Sequence, residues 1–157
     1  MFWPDYGRMN DGAGSTRWRD IHSWLGAEWE VGAREQESGQ IVIDKSRHWK
    51  PLQLTLWMNA FADFWYKHIH GDKDTFHLAW RSLGASFTMC PCLKNMGNAV
   101  MVQHDTDGRP IFQHRNMAKW RLNGDNRKIP GYEGHELALE SLARFKRKVL
   151  EGGPLIP

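Results

Sequence analysis

Two carboxylates stand close together in the segment GDKDTF, as Asp72 and Asp74. Carboxylates at the start of a helix often cap exposed backbone N–H groups, and this is the purely structural interpretation. Chemistry is the alternative, because Gly71 lets the backbone approach another group closely and Lys73 lies between the two acids. The segment is therefore a candidate site for holding hydroxyl groups or a proton.

A second polar cluster precedes a β-branched stretch and consists of Glu37, Ser38, Gly39 and Gln40. As plain structure it is a turn into a strand, and the strand ends in a surface ion pair at Asp44 and Lys45. Alternatively, small residues at the mouth of a strand leave room for a ligand, and Glu37 could accept hydroxyl groups. The sequence leaves both interpretations open.

A third cluster follows a predicted strand and contains His114, Arg115, Asn116, Lys119 and Trp120. A histidine at a strand end is often a satisfied structural residue, and it is also a common metal ligand. A nearby lysine suits a diphosphate leaving group, because its charge offsets the charge that develops on the departing oxygen. This cluster is a candidate site for a metal ion and a phosphate.

Length and composition limit the class of protein. The chain has 157 residues, enough for one ordinary domain, and we predict a single domain over 1–157 with 151–157 as its tail. It is 41% hydrophobic and 25% charged, with a mean hydropathy of -0.63, which is typical of globular proteins. No apolar run is long enough for a membrane span. The one dense basic run, ARFKRKVL, lies on a helical pattern, so we expect no nucleic-acid partner.

The chain contains nine tryptophans. Tryptophan commonly fills cores and interfaces, which is the interpretation that abundance alone favours. It also packs flat on sugar rings, and most of these tryptophans stand beside polar residues, as in RHWK, AEWE and AKWR. Either use is compatible with the sequence.

Apolar periodicity and turn residues predict an α/β fold with one mixed sheet covered by helices. The predicted helices cover 15–25, 46–69, a segment starting at Asp72, and the amphipathic segment GHELALESLARFKRKVL, and the predicted strands cover 35–45, 98–103 and 110–113. We expect the strand over 35–45 to be entered through Ser38 and Gly39, and the helix over 46–69 to be well buried. Asp105 and Asp107 have the Asp-x-Asp form that can hold a metal, but the following glycine indicates a hairpin tip.

The motifs occur in an order that resembles a known family. FWPDY, ESGQIVIDKSRHWKPLQL, GDKDTFHLAW and DGRPIFQHRNMAKW together resemble the carboxyl-terminal half of the fungal alpha-mannosyltransferases that act on Golgi glycans, glycosyltransferase family 71. The resemblance covers about residues 2–120. That family is more distantly similar to the retaining, glycogenin-type glycosyltransferases, which share the GT-A fold and its nucleotide-binding mixed sheet.

The resemblance implies a role for each cluster. His114 would complete the shell of a manganese ion on the donor diphosphate, and Lys119 would contact the phosphates, with Arg115, Asn116 and Trp120 beside it. Asp72 and Asp74 would be the catalytic acids facing the acceptor or the transferring sugar. The segment from Glu37 to Gln40, with Lys73, would line the sugar pocket. The implied donor is GDP-mannose, the implied acceptor is a glycan hydroxyl, and the implied compartment is the Golgi lumen.

In such enzymes the first half of the domain supplies the nucleotide-binding strands and the metal-binding Asp-x-Asp. We therefore expect this chain to be a partial catalytic domain, either a fragment of a longer reading frame or a degenerate relative, that is inactive alone and self-associates through an exposed face. One alternative is a non-catalytic carbohydrate-binding or interaction module that retains only the acceptor side. Another is a folded remnant without a ligand, in which the tryptophans only fill the core.

Overall fold

The computed structural model describes residues 1–9, 16–91, 93–97, 100–130, 132–150 and 152, and for residues 16–18 it describes the backbone only. Its strands are β1 (Phe2–Arg8), β2 (Arg34–Ile41), β3 (Leu93–Asn95), β4 (Val100–His104) and β5 (Pro110–Arg115). Its helices are α1 (Thr16–Trp24), α2 (Trp49–Ala60), α3 (Ala62–Trp65), α4 (Asp72–Ser82) and α5 (His135–Leu150). The first residue of the predicted helix over 15–25, the predicted strand start at 98–99 and the tail residues 151 and 153–157 lie outside the described residues.

The first sheet pairs β1 with β2 in antiparallel register, with Trp3 opposite Glu37 and Phe2 opposite Ile41. Helix α4 packs on this sheet, and Trp80 meets the ring of Phe2 edge-on with 5.2 Å between the ring centroids. Phe2 is buried with Ala79 and Trp80 in an apolar core between the sheet and the helix. This packing brings the start of α4 close to β2.

The second sheet is an antiparallel meander of β3, β4 and β5. At the tip between β4 and β5, the carboxylate of Asp105 accepts hydrogen bonds from the backbone N–H groups of Asp107 and Arg109, at 2.9 and 2.8 Å. Gly108 has a φ of 82°, a conformation that glycine adopts without strain. The prediction that the Asp-x-Asp sequence forms a hairpin tip is confirmed.

Among the described residues, buried apolar side chains form three clusters. The first joins α1, α2, α3 and α4 through Ile21, Met58, Trp65, Ile69 and Leu78. The second lies between β1 and α4, and the third packs Ile129 against Val100 and Val102 of β4. The core is therefore divided between a helical part and the two sheets.

The α/β class is confirmed, whereas the prediction of one mixed sheet is wrong, because the described strands form two antiparallel sheets. Strand β2 begins at Arg34 and ends at Ile41, so Ser38 and Gly39 lie within it and not at its entrance. Sequence patterns missed β1 and β3. Pro4 explains the first omission, since proline within an apolar run argues against a strand.

The long helix predicted over 46–69 is divided into α2 and α3 at Phe61, whose backbone leaves helical geometry at φ -108° and ψ 38°. It is also not well buried, because Leu56, Trp57, Phe61 and Phe64 are exposed. None of the helices in the described part of the chain is long and apolar enough to cross a membrane.

Candidate functional site

Lys73 stands at the centre of a cluster of acids. Its Nζ atom lies 2.8 Å from Oδ2 of Asp5, 2.9 Å from Oε2 of Glu35 and 3.3 Å from Oδ1 of Asp74. The three carboxylates come from β1, β2 and α4. One ammonium group therefore ties the start of α4 to both strands of the first sheet.

Burial shapes the charges of this cluster. Burial alone would lower the pKa of Lys73, but the charges of Asp74, Asp5 and Glu35 outweigh it and raise the pKa, so the side chain stays protonated. Burial also raises the pKa of Asp74, and the Lys73 ammonium and the backbone N–H of His70, which donates to Asp74 at 2.6 Å, oppose that rise only in part. The structure thus places the predicted site residues Lys73 and Asp74 in an internal ion-pair network.

A glycine makes room for this network. A Cβ atom added at Gly7 would lie 2.3 Å from the carboxylate carbon of Glu35, closer than real contacts allow. Sequence reasoning did not single out Asp5, Gly7 or Glu35. The available signal was an acid and a glycine within FWPDYG, directly after the apolar start of a strand.

Asp72 differs from Asp74 because its side chain is exposed at the first position of α4. Its Oδ2 accepts a hydrogen bond from Oγ of Ser38 at 3.3 Å. Oε1 of Glu37 in turn accepts hydrogen bonds from the backbone N–H groups of Ser38 and Gly39, at 2.9 and 3.3 Å. The first two predicted clusters therefore meet at this point.

The third cluster reaches the same place through His114. Its Nδ1 lies 3.7 Å from Oε2 of Glu37, and its Nε2 contacts the side-chain oxygen of Asn116. A Cβ atom added at Gly39 would lie 3.5 Å from Nδ1 of His114, an ordinary contact distance. Asp72, Ser38, Glu37 and His114 thus form a continuous polar row from α4 across β2 to β5.

Gln40 holds the two sheets together and does not join this row. Its side-chain amide donates to the side-chain oxygen of Gln103, whose own amide donates to the backbone carbonyl of Pro4 at 2.8 Å. Gln103 is buried, so this relay fixes β4 against β1 and β2.

Beyond His114 lies an open cleft of about 340 Å³, lined by Gln113, His114, Arg115, Asn116, Lys119 and Trp120. The guanidinium carbon of Arg115 stacks 3.7 Å from the ring centroid of Trp120. Its NH1 and NH2 groups donate to the backbone carbonyls of Ala118 and Arg127, at 3.3 and 2.6 Å. Burial lowers the pKa of Arg115, and these internal contacts make it a support for the cleft, whereas Lys119 is exposed.

Donor atoms that could bind a metal converge here at His114 and Glu37. His114 and Glu37 bring one nitrogen and one carboxylate near each other. Within the described ranges no group of three His, Cys, Asp or Glu side chains is arranged to hold a metal ion. These residues alone do not fit a complete shell for manganese, which prefers about six ligands.

Comparisons with a family model and with individual known proteins all point to mannosyltransferases. The model of the mannosyltransferase family Mannosyl_trans3 matches residues 28–107. Alpha-1,2-mannosyltransferase MNN5 of Saccharomyces cerevisiae is 33% identical over 85 residues, covering 50% of this chain and 14% of MNN5. Alpha-1,2-mannosyltransferase MNN21 of Candida albicans is 30% identical over 149 residues, covering 87% of this chain and 21% of MNN21. No solved structure matches the chain.

Proposed function

Because the chain belongs to the mannosyltransferase family Mannosyl_trans3, we propose that it is part of an enzyme that transfers alpha-mannose from a nucleotide-sugar to a glycan hydroxyl with retention of configuration. The observation that carries this proposal is the polar row of Asp72, Ser38, Glu37 and His114, which three separate sequence motifs contribute. A GT-A-like architecture, GDP-mannose as the donor and the Golgi lumen as the compartment belong to the same proposal. The chain spans 14% to 21% of the length of these relatives, and we propose that it acts as part of a longer enzyme.

Each end of the polar row would have its own task. Asp72 is exposed and can accept a hydrogen bond from a sugar hydroxyl, while Ser38 holds its carboxylate in place. The cleft beyond His114 is open and has the ammonium of Lys119 at its edge, which suits a diphosphate. Glu37 is buried between the two ends and orients His114.

The proposal includes a metal ion for which this chain supplies only part of the ligand shell. We propose that His114 is one ligand of a divalent ion, manganese by family resemblance, and that donor phosphates and other parts of the longer enzyme supply the rest. When bound, such an ion would neutralise charge on the diphosphate. Because the described residues leave its shell incomplete, we expect the isolated chain to bind donor weakly and to show no turnover.

Calorimetry tests the donor side. GDP, UDP and their mannose or glucose conjugates are titrated into the chain, first with manganese and then with a chelator. We expect metal-dependent binding of a nucleotide-sugar that weakens in His114→Ala and Lys119→Ala and stays unchanged in Lys50→Ala, which removes an exposed lysine from α2. Unchanged binding by His114→Ala in a longer enzyme would refute the metal role, and no donor binding by that enzyme would refute the transferase assignment.

A second candidate function is a non-catalytic carbohydrate-binding module. The observation that favours it is the difference between the two ends of the site. Around Asp72 and Ser38 the polar groups are held by partners within the chain, whereas the metal shell near His114 is incomplete. Glycan binding that needs neither nucleotide nor metal, combined with no donor binding by the full-length protein, would select this function.

A further inference from the structure

One face of α2, α3 and the turn that follows them carries large aromatic side chains that are open to solvent. Trp57 is 48% exposed, Phe61 54%, Phe64 51% and Tyr66 40%. We name these four residues the aromatic platform. Exposed aromatic groups of this extent in a globular protein usually mark a binding surface.

The rings of the platform are supported from below. The centroid of Trp57 lies 5.3 Å from that of Phe61, and the buried Trp65 contacts both Trp57 and Phe64, at 5.7 and 5.2 Å between centroids. A shallow depression of about 250 Å³ lies beside them, lined by residues 60–64, including the carboxylate of Asp63. The surface is therefore held in shape before any ligand arrives.

The platform is continuous with the polar row. The hydroxyl of Tyr66 donates to Oδ1 of Asn59 at 2.5 Å, and Nδ2 of Asn59 donates to Oγ1 of Thr75 at 2.9 Å. Oγ1 of Thr75 donates to the backbone carbonyl of Asp72 at 2.6 Å. Burial raises the pKa of Tyr66, and the negative charge of the nearby Asp72 raises it further. Tyr66 thus links the platform to the exposed acid of the candidate site.

The chemistry of the platform selects one kind of ligand. The negative face of an aromatic ring attracts the partly positive C–H groups on the apolar face of a pyranose. The exposed carboxylates of Asp63, in the depression beside Phe61 and Phe64, and of Asp72, near Tyr66, can accept hydrogen bonds from the hydroxyl groups at the edges of the sugar. A purely apolar partner would gain nothing from these acids and would have to desolvate them.

We propose that the aromatic platform binds the acceptor glycan, with sugar rings stacked on Phe61 and Phe64 and the chain of sugars running over Tyr66 toward Asp72. This inference rests on the proposed function, because it names the place where the acceptor of that reaction lies. It also specifies what the acceptor must be. The platform offers several separate rings as well as the carboxylate of Asp72, so we expect an oligosaccharide with two or more sugars to bind better than a single hexose.

Calorimetry of this chain with alpha-linked mannotriose tests the inference in the absence of nucleotide and metal. The variants Phe61→Ser and Phe64→Ser change exposed side chains and should leave folding intact. We expect each to weaken mannotriose binding about fivefold to tenfold, in line with the loss of one aromatic contact. Trp49→Ala is the matched control, since Trp49 is 59% exposed at the other end of α2, and it should bind like the unaltered chain.

Saturation-transfer NMR on the unaltered chain adds a direct readout, because sugar protons on the apolar pyranose face should receive the strongest transfer from aromatic protons. Equal mannotriose binding by both serine variants, or no binding at millimolar sugar, would overturn the inference. So would self-association that both serine variants abolish without any change in sugar binding, since the platform would then be a contact between copies. Failure of donor binding by the longer enzyme would count against the transferase and would leave these sugar measurements unaffected.

Discussion

Ser38 and Asp72 are 34 positions apart in sequence, yet Oγ of the serine lies 3.3 Å from Oδ2 of the aspartate. This contact joins the middle of β2 to the first residue of α4. The structure distinguishes two acids that look equivalent in GDKDTF. Asp72 is exposed beside Ser38, whereas Asp74 is buried against Lys73. The two acids should therefore respond differently to the same substitution.

Asp72→Asn and Asp74→Asn form a matched pair of variants. We expect Asp72→Asn to change the free energy of unfolding by less than about 1 kcal/mol, because the side chain is exposed. Asp74→Asn should lower it by more, about 1–2 kcal/mol, because its amide keeps only one of the two acceptor oxygens that the Lys73 ammonium and the backbone N–H of His70 contact. Urea denaturation followed by tryptophan fluorescence measures both, and equal losses would contradict the assignment of the two acids.

Lys73→Met leaves the carboxylates of Asp5, Glu35 and Asp74 together without their cation. We expect a loss of about 3 kcal/mol in the free energy of unfolding at neutral pH. The loss should shrink as the pH falls, because the crowded carboxylates of the folded variant take up protons more readily than those of the unfolded chain. Lys67→Met, which removes an exposed lysine, is the control. A loss that does not depend on pH would show that packing, not charge, is what the variant removes.

Gly7→Ala should disturb the same network by steric overlap, because the added Cβ would displace the carboxylate of Glu35. We expect a loss of about 1–2 kcal/mol in the free energy of unfolding, the size of a disrupted partly buried contact. In a protein that already carries Glu35→Ala, Gly7→Ala should lower the free energy of unfolding much less. A double-mutant cycle measures this coupling, and strictly additive effects would argue against the contact.

Two buried histidines predict how stability depends on pH. Burial lowers the pKa of His22 from 6.5 to about 4, although the contact of its ring with the backbone oxygen of Glu28 offsets part of this shift. Burial and the charge of the nearby Arg81 lower the pKa of His77 well below its ordinary value. Neither Nε2 atom has a hydrogen-bond partner within the described part of the chain. The unfolded chain therefore binds more protons below pH 6.5, so this contribution is complete above that pH and is lost as the pH falls toward 4.

For His22 alone the loss is about 2–3 kcal/mol. The raised pKa of Asp74 acts in the opposite direction over part of this range, so the net slope should be smaller than the histidines alone would give. Urea midpoints between pH 7.5 and 4.5 measure the slope. His22→Leu should flatten it, and Lys50→Ala, which removes an exposed lysine, should leave it unchanged.

Local patterns predicted the elements whose own residues determine them. Helix α4 begins at Asp72 as expected, and Gly26 lies in the turn that follows α1. The same patterns failed at Phe61, which divides the long helix although no proline or glycine stands there, and in β1, where Pro4 sits in a strand that pairs with β2.

Sequence patterns predicted only part of the candidate site, because they identify reactive side chains but not the distant residues that folding brings to them. Asp72, Ser38 and His114 carry side chains that signal chemistry in any sequence, and the structure brings them together. The internal role of Lys73 depends on Asp5 and Glu35, which only folding brings to it. No spacing rule within GDKDTF contains that information.

The relay from Gln40 through Gln103 to Pro4 also governs how fast the site can form. The amide of Gln103 reaches the carbonyl of Pro4 across 99 positions, and Nε1 of Trp3 donates to the carbonyl of His104 across 101 positions at 2.9 Å. Contacts between such distant parts of a chain require the closure of large loops and slow the folding reaction. The polar row spans both sheets, so we expect it to form only after these distant segments have come together, and a chain that has not reached that stage would lack the candidate site.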